Sequence, residues 1–99
     1  MPAKVETRVI RSESGAKLGE GEFLEGLPHG THRLWSANGI LVMEASFRDG
    51  EYHGEYRTWW ENGRPKERGT FEHGKRVGTY IWYSEEGSVV QEHRYGTEP

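Results

Sequence analysis

Arg33 and Arg57 each stand two residues before a tryptophan, Trp35 and Trp59, and the two pairs lie 24 residues apart. On an extended segment, side chains two residues apart point the same way, so each arginine shares a face with its tryptophan. A ladder of guanidinium and indole groups does the chemistry of recognition rather than of bond making. It accepts the apolar or acidic side chains of a partner. Tyr83 continues the ladder one period after Trp59, and Trp60 stands where the corresponding positions hold Ser36 and Ser84. The candidate partner-binding residues are therefore Arg33, Trp35, Arg57, Trp59, Trp60 and Tyr83. Trp60 is the leading contact residue, because it departs from the pattern around it; its removal is expected to leave stability nearly unchanged. The rings also have a structural reading, since a stripe of aromatics in a thin sheet is first of all its core.

Other chemistry has less support. His29 and His32 form an H-x-x-H pair, but an odd spacing on a strand sends the two rings to opposite faces, and there is no cysteine to complete a metal site. His29 and His53 share a phase beside the turn glycines, where an exposed polar role is expected, and His73, at a turn, and His93, in the last strand, read as surface residues. Glu85 and Glu86 fall in a turn and Glu20 and Glu22 line one strand face, so neither pair opposes its carboxylates across a cleft as a hydrolase requires. The serines have no base and orienting acid in a repeating arrangement. Gly19, Gly21 and Gly26 do not satisfy the phosphate-binding glycine spacing, and no helix follows them. No enzyme, metal or cofactor is indicated.

The elements that must position the ladder follow from a repeat. Phe23, Phe47 and Phe71 are 24 residues apart; each is followed after three residues by Gly26, Gly50 or Gly74 and after seven by Gly30, Gly54 or Gly78. The phase continues through His32, Tyr56 and Tyr80, and through Asn38-Gly39, Asn62-Gly63 and Glu86-Gly87. Units of this length each bury an apolar face against their neighbours. The register divides the chain, a single domain over 1–99, into a partial cap (5–19), repeats 20–43, 44–67 and 68–91, and a second partial cap (92–95). Two X-Gly turn signals per period give two strands per period, and connections this short join only antiparallel neighbours. The expected fold is all-β, an antiparallel meander in a single layer of about eight strands: Val5 to Ser12, Lys17 to Phe23, Leu27 to Trp35, Ile40 to Phe47, Glu51 to Trp60, Arg64 to Phe71, Lys75 to Tyr83 and Val89 to Tyr95. Phe23, Phe47, Phe71, Tyr56 and Tyr80 are the expected repeat core, with Gly30, Gly54 and Gly78 leaving room for neighbouring rings.

Composition agrees with a thin sheet. Only 32% of residues are hydrophobic and 29% are charged, while 12% are aromatic, too many for a disordered chain. A net charge of −3 with both signs interspersed offers no basic field for nucleic acid, and the lysines and arginines are too diluted by acids to make a membrane surface a favoured partner. There is no cysteine, which suits a cytoplasmic location, and Met1 to Ile10 has no apolar run of signal length.

The succession Phe-x-x-Gly-x-x-x-Gly-x-x-x-x-Trp/Tyr-x-x-Asn/Glu-Gly, running from about Gly15 to Tyr95, resembles the MORN repeat family, in particular its bacterial variant found in proteins labelled as antitoxins. Leu27-Pro28 and His32 make the first unit the most divergent. The resemblance implies a twisted single-layer array of β-hairpins that acts by binding, mostly to proteins and in some members to membrane lipids, with no catalytic residue to carry over. Three readings of function follow: a protein-binding module of antitoxin or immunity type, a scaffold that forms homo-oligomers through its open edge strands, and a binder of anionic lipid.

Overall fold

A computed structural model describes residues 4–96, so the extreme ends of the 1–99 domain lie outside the described residues. Eight strands run in chain order: β1 (Val5–Arg11), β2 (Lys17–Leu24), β3 (Leu27–Trp35), β4 (Leu41–Arg48), β5 (Glu51–Trp59), β6 (Pro65–Glu72), β7 (Lys75–Tyr83) and β8 (Val89–Tyr95). Each pairs antiparallel with the next in one open sheet, β1 to β8, and no helix occurs among the described residues. The sheet measures 45 × 42 × 13 Å, one layer thick.

Two kinds of turn alternate. Between β2 and β3, β4 and β5, and β6 and β7 both central residues have positive φ (Glu25 52° and Gly26 84°; Asp49 51° and Gly50 85°; His73 49° and Gly74 79°). Paired left-handed residues are the mark of the two-residue hairpin whose twist matches its strands. At the other edge the loops carry one left-handed glycine each, Gly15, Gly39, Gly63 and Gly87, whose N–H donates to the carbonyl of Ser12, Ser36, Trp60 and Ser84 respectively. Successive turns are tied together. Gly50 N–H donates to the Pro28 carbonyl and Gly74 N–H to that of Tyr52, while Asn38 Nδ2 donates to Glu61 Oε1 (3.0 Å) and Asn62 Nδ2 to the Glu85 carbonyl (2.9 Å).

Strand alternation divides the side chains between two faces. On the aromatic face the Phe row and the His32, Tyr56, Tyr80 row merge into one line. Ring centroids are 5.1 Å apart for Phe23 and His32, 4.7 Å for His32 and Phe47, 4.6 Å for Phe47 and Tyr52, and 5.0 Å for Tyr52 and Phe71. Tyr56 touches Phe71 at 5.3 Å, and Tyr80 lies between Phe71 and Tyr95 at 6.2 Å from each. The phenylalanines thus meet through a ring on the intervening strand. Ala45 and Tyr80 are the fully buried apolar residues, so the core is the stack itself.

The room for these rings is not where the sequence pointed. Gly30, Gly54 and Gly78 have φ of 69°, 109° and 68° and sit in the bulges of the β2–β3, β4–β5 and β6–β7 ladders. A side chain there would be strained by the backbone rather than by an aromatic neighbour: a Cβ at Gly30 would meet Glu22, one at Gly54 would meet Ser46, and one at Gly78 nothing within 4 Å. The space lies instead at Gly21 and Gly69, where an added Cβ would come within 2.3 Å of the His32 ring and 2.1 Å of the Tyr80 ring. Ala45 occupies the same place in the middle repeat, opposite Tyr56.

Candidate functional site

The aromatic face is mostly committed to itself. Glu67 accepts from Thr58 Oγ1 (3.0 Å) and from the Tyr80 hydroxyl (3.1 Å). Burial, and after it the Glu67 charge, push the phenol groups of Tyr80 and Tyr56 up from their ordinary value, Tyr80 well above it. His32, which stands in the tyrosine position of the first repeat, donates from Nε2 to the Glu22 carbonyl at 2.8 Å, beside the β2–β3 bulge. A carbonyl only accepts, so Nε2 carries the proton. Arg76 lies over Tyr80 at 4.5 Å and donates to the Tyr95 hydroxyl at 3.3 Å, which raises its pKa.

The opposite face carries the charged ladder. Arg33 and Trp35, and Arg57 and Trp59, alternate with His32 and Leu34, and with Tyr56 and Thr58, and so share a side of the sheet. Arg33 is held between two acids, Nε to Glu44 Oε2 at 2.8 Å and a terminal nitrogen to Glu20 Oε2 at 3.6 Å. Glu20 also binds Lys17, and that hydrogen bond above all keeps its carboxyl below the usual range. Lys17 in turn lies 5.1 Å from the Trp35 ring. Arg57 pairs with Glu55 of its own strand, which lowers the Glu55 pKa. Trp59 and Tyr83 stand with Arg57, Pro65 and Arg68 around a cleft of about 180 Å³. A neighbouring cleft of about 170 Å³ is lined by Glu55, Arg57, Arg68, Thr70, Thr79 and Ile81.

Five of the six candidate contact residues thus belong to this face, with Phe23, Phe47, Phe71, Tyr56 and Tyr80 on the other. Trp60 is different. It is half-buried, donates from Nε1 to the Tyr83 carbonyl at 3.2 Å and has the Lys66 ammonium 4.7 Å from its ring. Its departure from register has a local account: the corresponding Ser12, Ser36 and Ser84 hydroxyls accept backbone N–H groups within their turns, and in the Trp60 turn the Asn62 Oδ1 does so instead, from Arg64 N at 2.9 Å. The indole thus links two repeats, which weighs against the expectation that its removal leaves stability unchanged.

The residue that the sequence reading passed over is Arg68. Its phase is held by Glu20 and Glu44 upstream and by Glu92 downstream, and this one change of sign was the available signal. Among the described residues no three His, Cys, Asp or Glu side chains group as a metal site, and no helix is long and apolar enough to cross a membrane.

A family model described as a MORN repeat variant matches residues 28–49, 52–73 and 76–95, more than half of the chain. The matched segments correspond to the hairpins β3–β4, β5–β6 and β7–β8, the same 24-residue period cut at the two-residue turns. No curated protein and no solved structure matches the chain.

Proposed function

The chain belongs to the MORN repeat family, a non-catalytic repeat module associated with binding, and on that premise we propose that it holds a protein partner against its charged face. The observation that carries this reading is the cluster of Arg57, Trp59 and Tyr83 around an open cleft in a sheet with no second layer to cover it. Half-exposed tryptophan, tyrosine and arginine are the residue types that dominate binding energy when a partner excludes water from them. The partner is a polypeptide that the chain neutralises, in an antitoxin or immunity role, and both meet in the cytoplasm. The test compares capture from source lysate by the parent protein and by Arg57→Ala and Trp59→Ala variants whose folding is checked by thermal melting. A defined polypeptide held by the parent and lost from the folded variants supports the reading; equal capture by all three refutes it.

A second reading, self-association, is favoured by the edges. Both edge strands are open, and Val9 and Ile10 on β1 and Val89 and Val90 on β8 are exposed (Ile10 61%, Val90 63%). Unpaired backbone beside exposed apolar residues is a template for strand pairing. Sedimentation velocity at two protein concentrations tests it, since a monomer mass of 11.4 kDa at both argues against assembly through the edges, and a multiple of it supports assembly. Binding to anionic lipid is the weakest of the three, because Arg33, Arg57 and Lys17 are each paired with an acid.

A further inference from the structure

The repeats act as controls for one another, and across the charged face they expose a missing carboxylate. The cross-strand partners run Glu20, Arg33, Glu44, Arg57, Arg68 from β2 to β6. In the first half of this row the signs alternate, and Arg33 Nε donates to Glu44 on the following strand. One period later Arg57 stands in the place of Arg33, and the residue in the place of Glu44 is Arg68. Two consequences are visible. Arg57 Nε is buried with no hydrogen-bond partner. Arg68 makes no ion pair with the described residues, although it lies directly opposite Arg57. Like charges opposed across a strand pair are unfavourable, and so is a buried donor left unmade, so the free protein carries both costs at one point.

We infer that Arg57 and Arg68 form a seat for the carboxylate of an acidic side chain on a protein partner, which supplies the group that Glu44 supplies to Arg33. The inference rests on the binding-module reading above and names its chemistry. The cleft of about 170 Å³ beside the two arginines offers the hydroxyls of Thr70 and Thr79 as further donors. Ile81, which holds the phase of Arg33 and Arg57, gives the methylenes of an aspartate or glutamate an apolar surface. Planar guanidinium groups bind a carboxylate through paired N–H donors. Glu55 at the rim, already bound to Arg57, keeps one negative charge in the site. It opposes a doubly charged phosphate more than a singly charged carboxylate.

The test follows the arginine Nε–H signals of ¹⁵N-labelled protein as a tetraglutamate peptide is added. The expected result is a saturable shift of Arg57 and Arg68 with Arg33 unmoved, weakening as salt is raised. Arg68→Glu installs the arrangement already present at Arg33 and Glu44. It should raise the melting temperature and weaken the peptide by roughly tenfold or more, as expected when one partner of a charge pair is lost. Arg68→Gln should weaken the peptide without an acid in the cleft, so that loss of binding is not ascribed to repulsion alone. An equal response at Arg33, or full affinity in Arg68→Glu, overturns the inference. So does tighter Arg68-dependent binding of inorganic phosphate, or of phosphatidylserine vesicles by flotation. A captured partner that binds Arg68→Glu as well as the parent would sink this inference and leave the proposed function standing; capture by neither would sink the proposed function, while the peptide titration still reads the seat on its own.

Discussion

Gly69→Ala tests the aromatic stack at its tightest point. The Tyr80 ring is fully buried and lies on the backbone of β6, so a Cβ at Gly69 would be 2.1 Å from Cδ2, 2.4 Å from Cε2 and 2.9 Å from Cγ. β6 is paired on both sides and is not free to retreat. The ring must therefore lift by about 1.3 Å to reach ordinary contact at 3.4 Å. That movement strains the hydrogen bond from Tyr80 to Glu67, now 3.1 Å, and opens the contact with Trp82, whose ring centroid is 4.6 Å away. Overpacking of this kind costs about 1–3 kcal/mol, and a hydrogen bond to a charged group is worth about 1.5–3 kcal/mol, part of which water restores at Glu67. Alanine returns about 0.4–1 kcal/mol by restricting the unfolded chain. The net expectation is a loss of about 3 kcal/mol, which for a domain of this size lowers the melting temperature by roughly 12–24 °C. Urea titration followed by tryptophan fluorescence reads it as a lower midpoint at unchanged slope. A Tyr80→Leu background supplies the control, because without the ring most of the cost should vanish. A Gly69→Ala protein within about 0.5 kcal/mol of the parent, the range of an ordinary surface substitution, would refute the close approach of ring and strand.

Trp60→Phe keeps an aromatic ring but removes the donor to the Tyr83 carbonyl, so a loss of about 1 kcal/mol is expected in the same titration; no loss would return Trp60 to a pure surface role. Stability should also fall at both ends of the pH range. The Glu55 carboxyl is lowered by Arg57, that of Glu20 by Lys17 and that of Glu61 by Ser36, so their contribution is full above the unfolded value, about 4.3, and is lost as pH falls through the folded values. Tyr80 is raised by burial, so its contribution is full below the unfolded value, about 10, and is lost as pH climbs from there toward the folded value. Urea midpoints measured across pH check both limbs, and Tyr80→Phe should flatten the alkaline one; an unchanged alkaline limb would show that Tyr80 is not the group responsible.

Most of the fold was legible because its cause is periodic. The strand limits expected from turn dipeptides lie within one residue of those observed, since an X-Gly pair with two positive φ values leaves little freedom for where a hairpin reverses. The division of Arg33 and Trp35 from His32 was legible for the same reason, as alternation assigns the faces. What escaped was depth. Gly21, Ala45 and Gly69 are as periodic as Gly30, Gly54 and Gly78, yet spacing does not distinguish a glycine that lies beneath a ring from one that bends a bulge. That distinction depends on which partner strand is opposite, and the bulges shift that register by amounts the sequence does not display.

Departures from a repeat sort by what the neighbouring copies do about them. His32 for tyrosine is answered locally, by its bond to the Glu22 carbonyl, and Trp60 for serine is answered by Asn62 and by the Tyr83 carbonyl. Both changes leave their surroundings satisfied, so folding is sufficient reason for them. Arg68 for glutamate is answered only in part: Arg57 turns to Glu55 of its own strand, while its Nε–H, opposite Arg68, stays buried without an acceptor. A chain that keeps a partly compensated cost in a regular array, where the preceding unit displays the paired Arg33 and Glu44, offers that point for a partner to complete, which is the inference drawn above. The physical distinction is between a substitution that the fold absorbs and one that it leaves open, and on this sheet Arg68 is the open one.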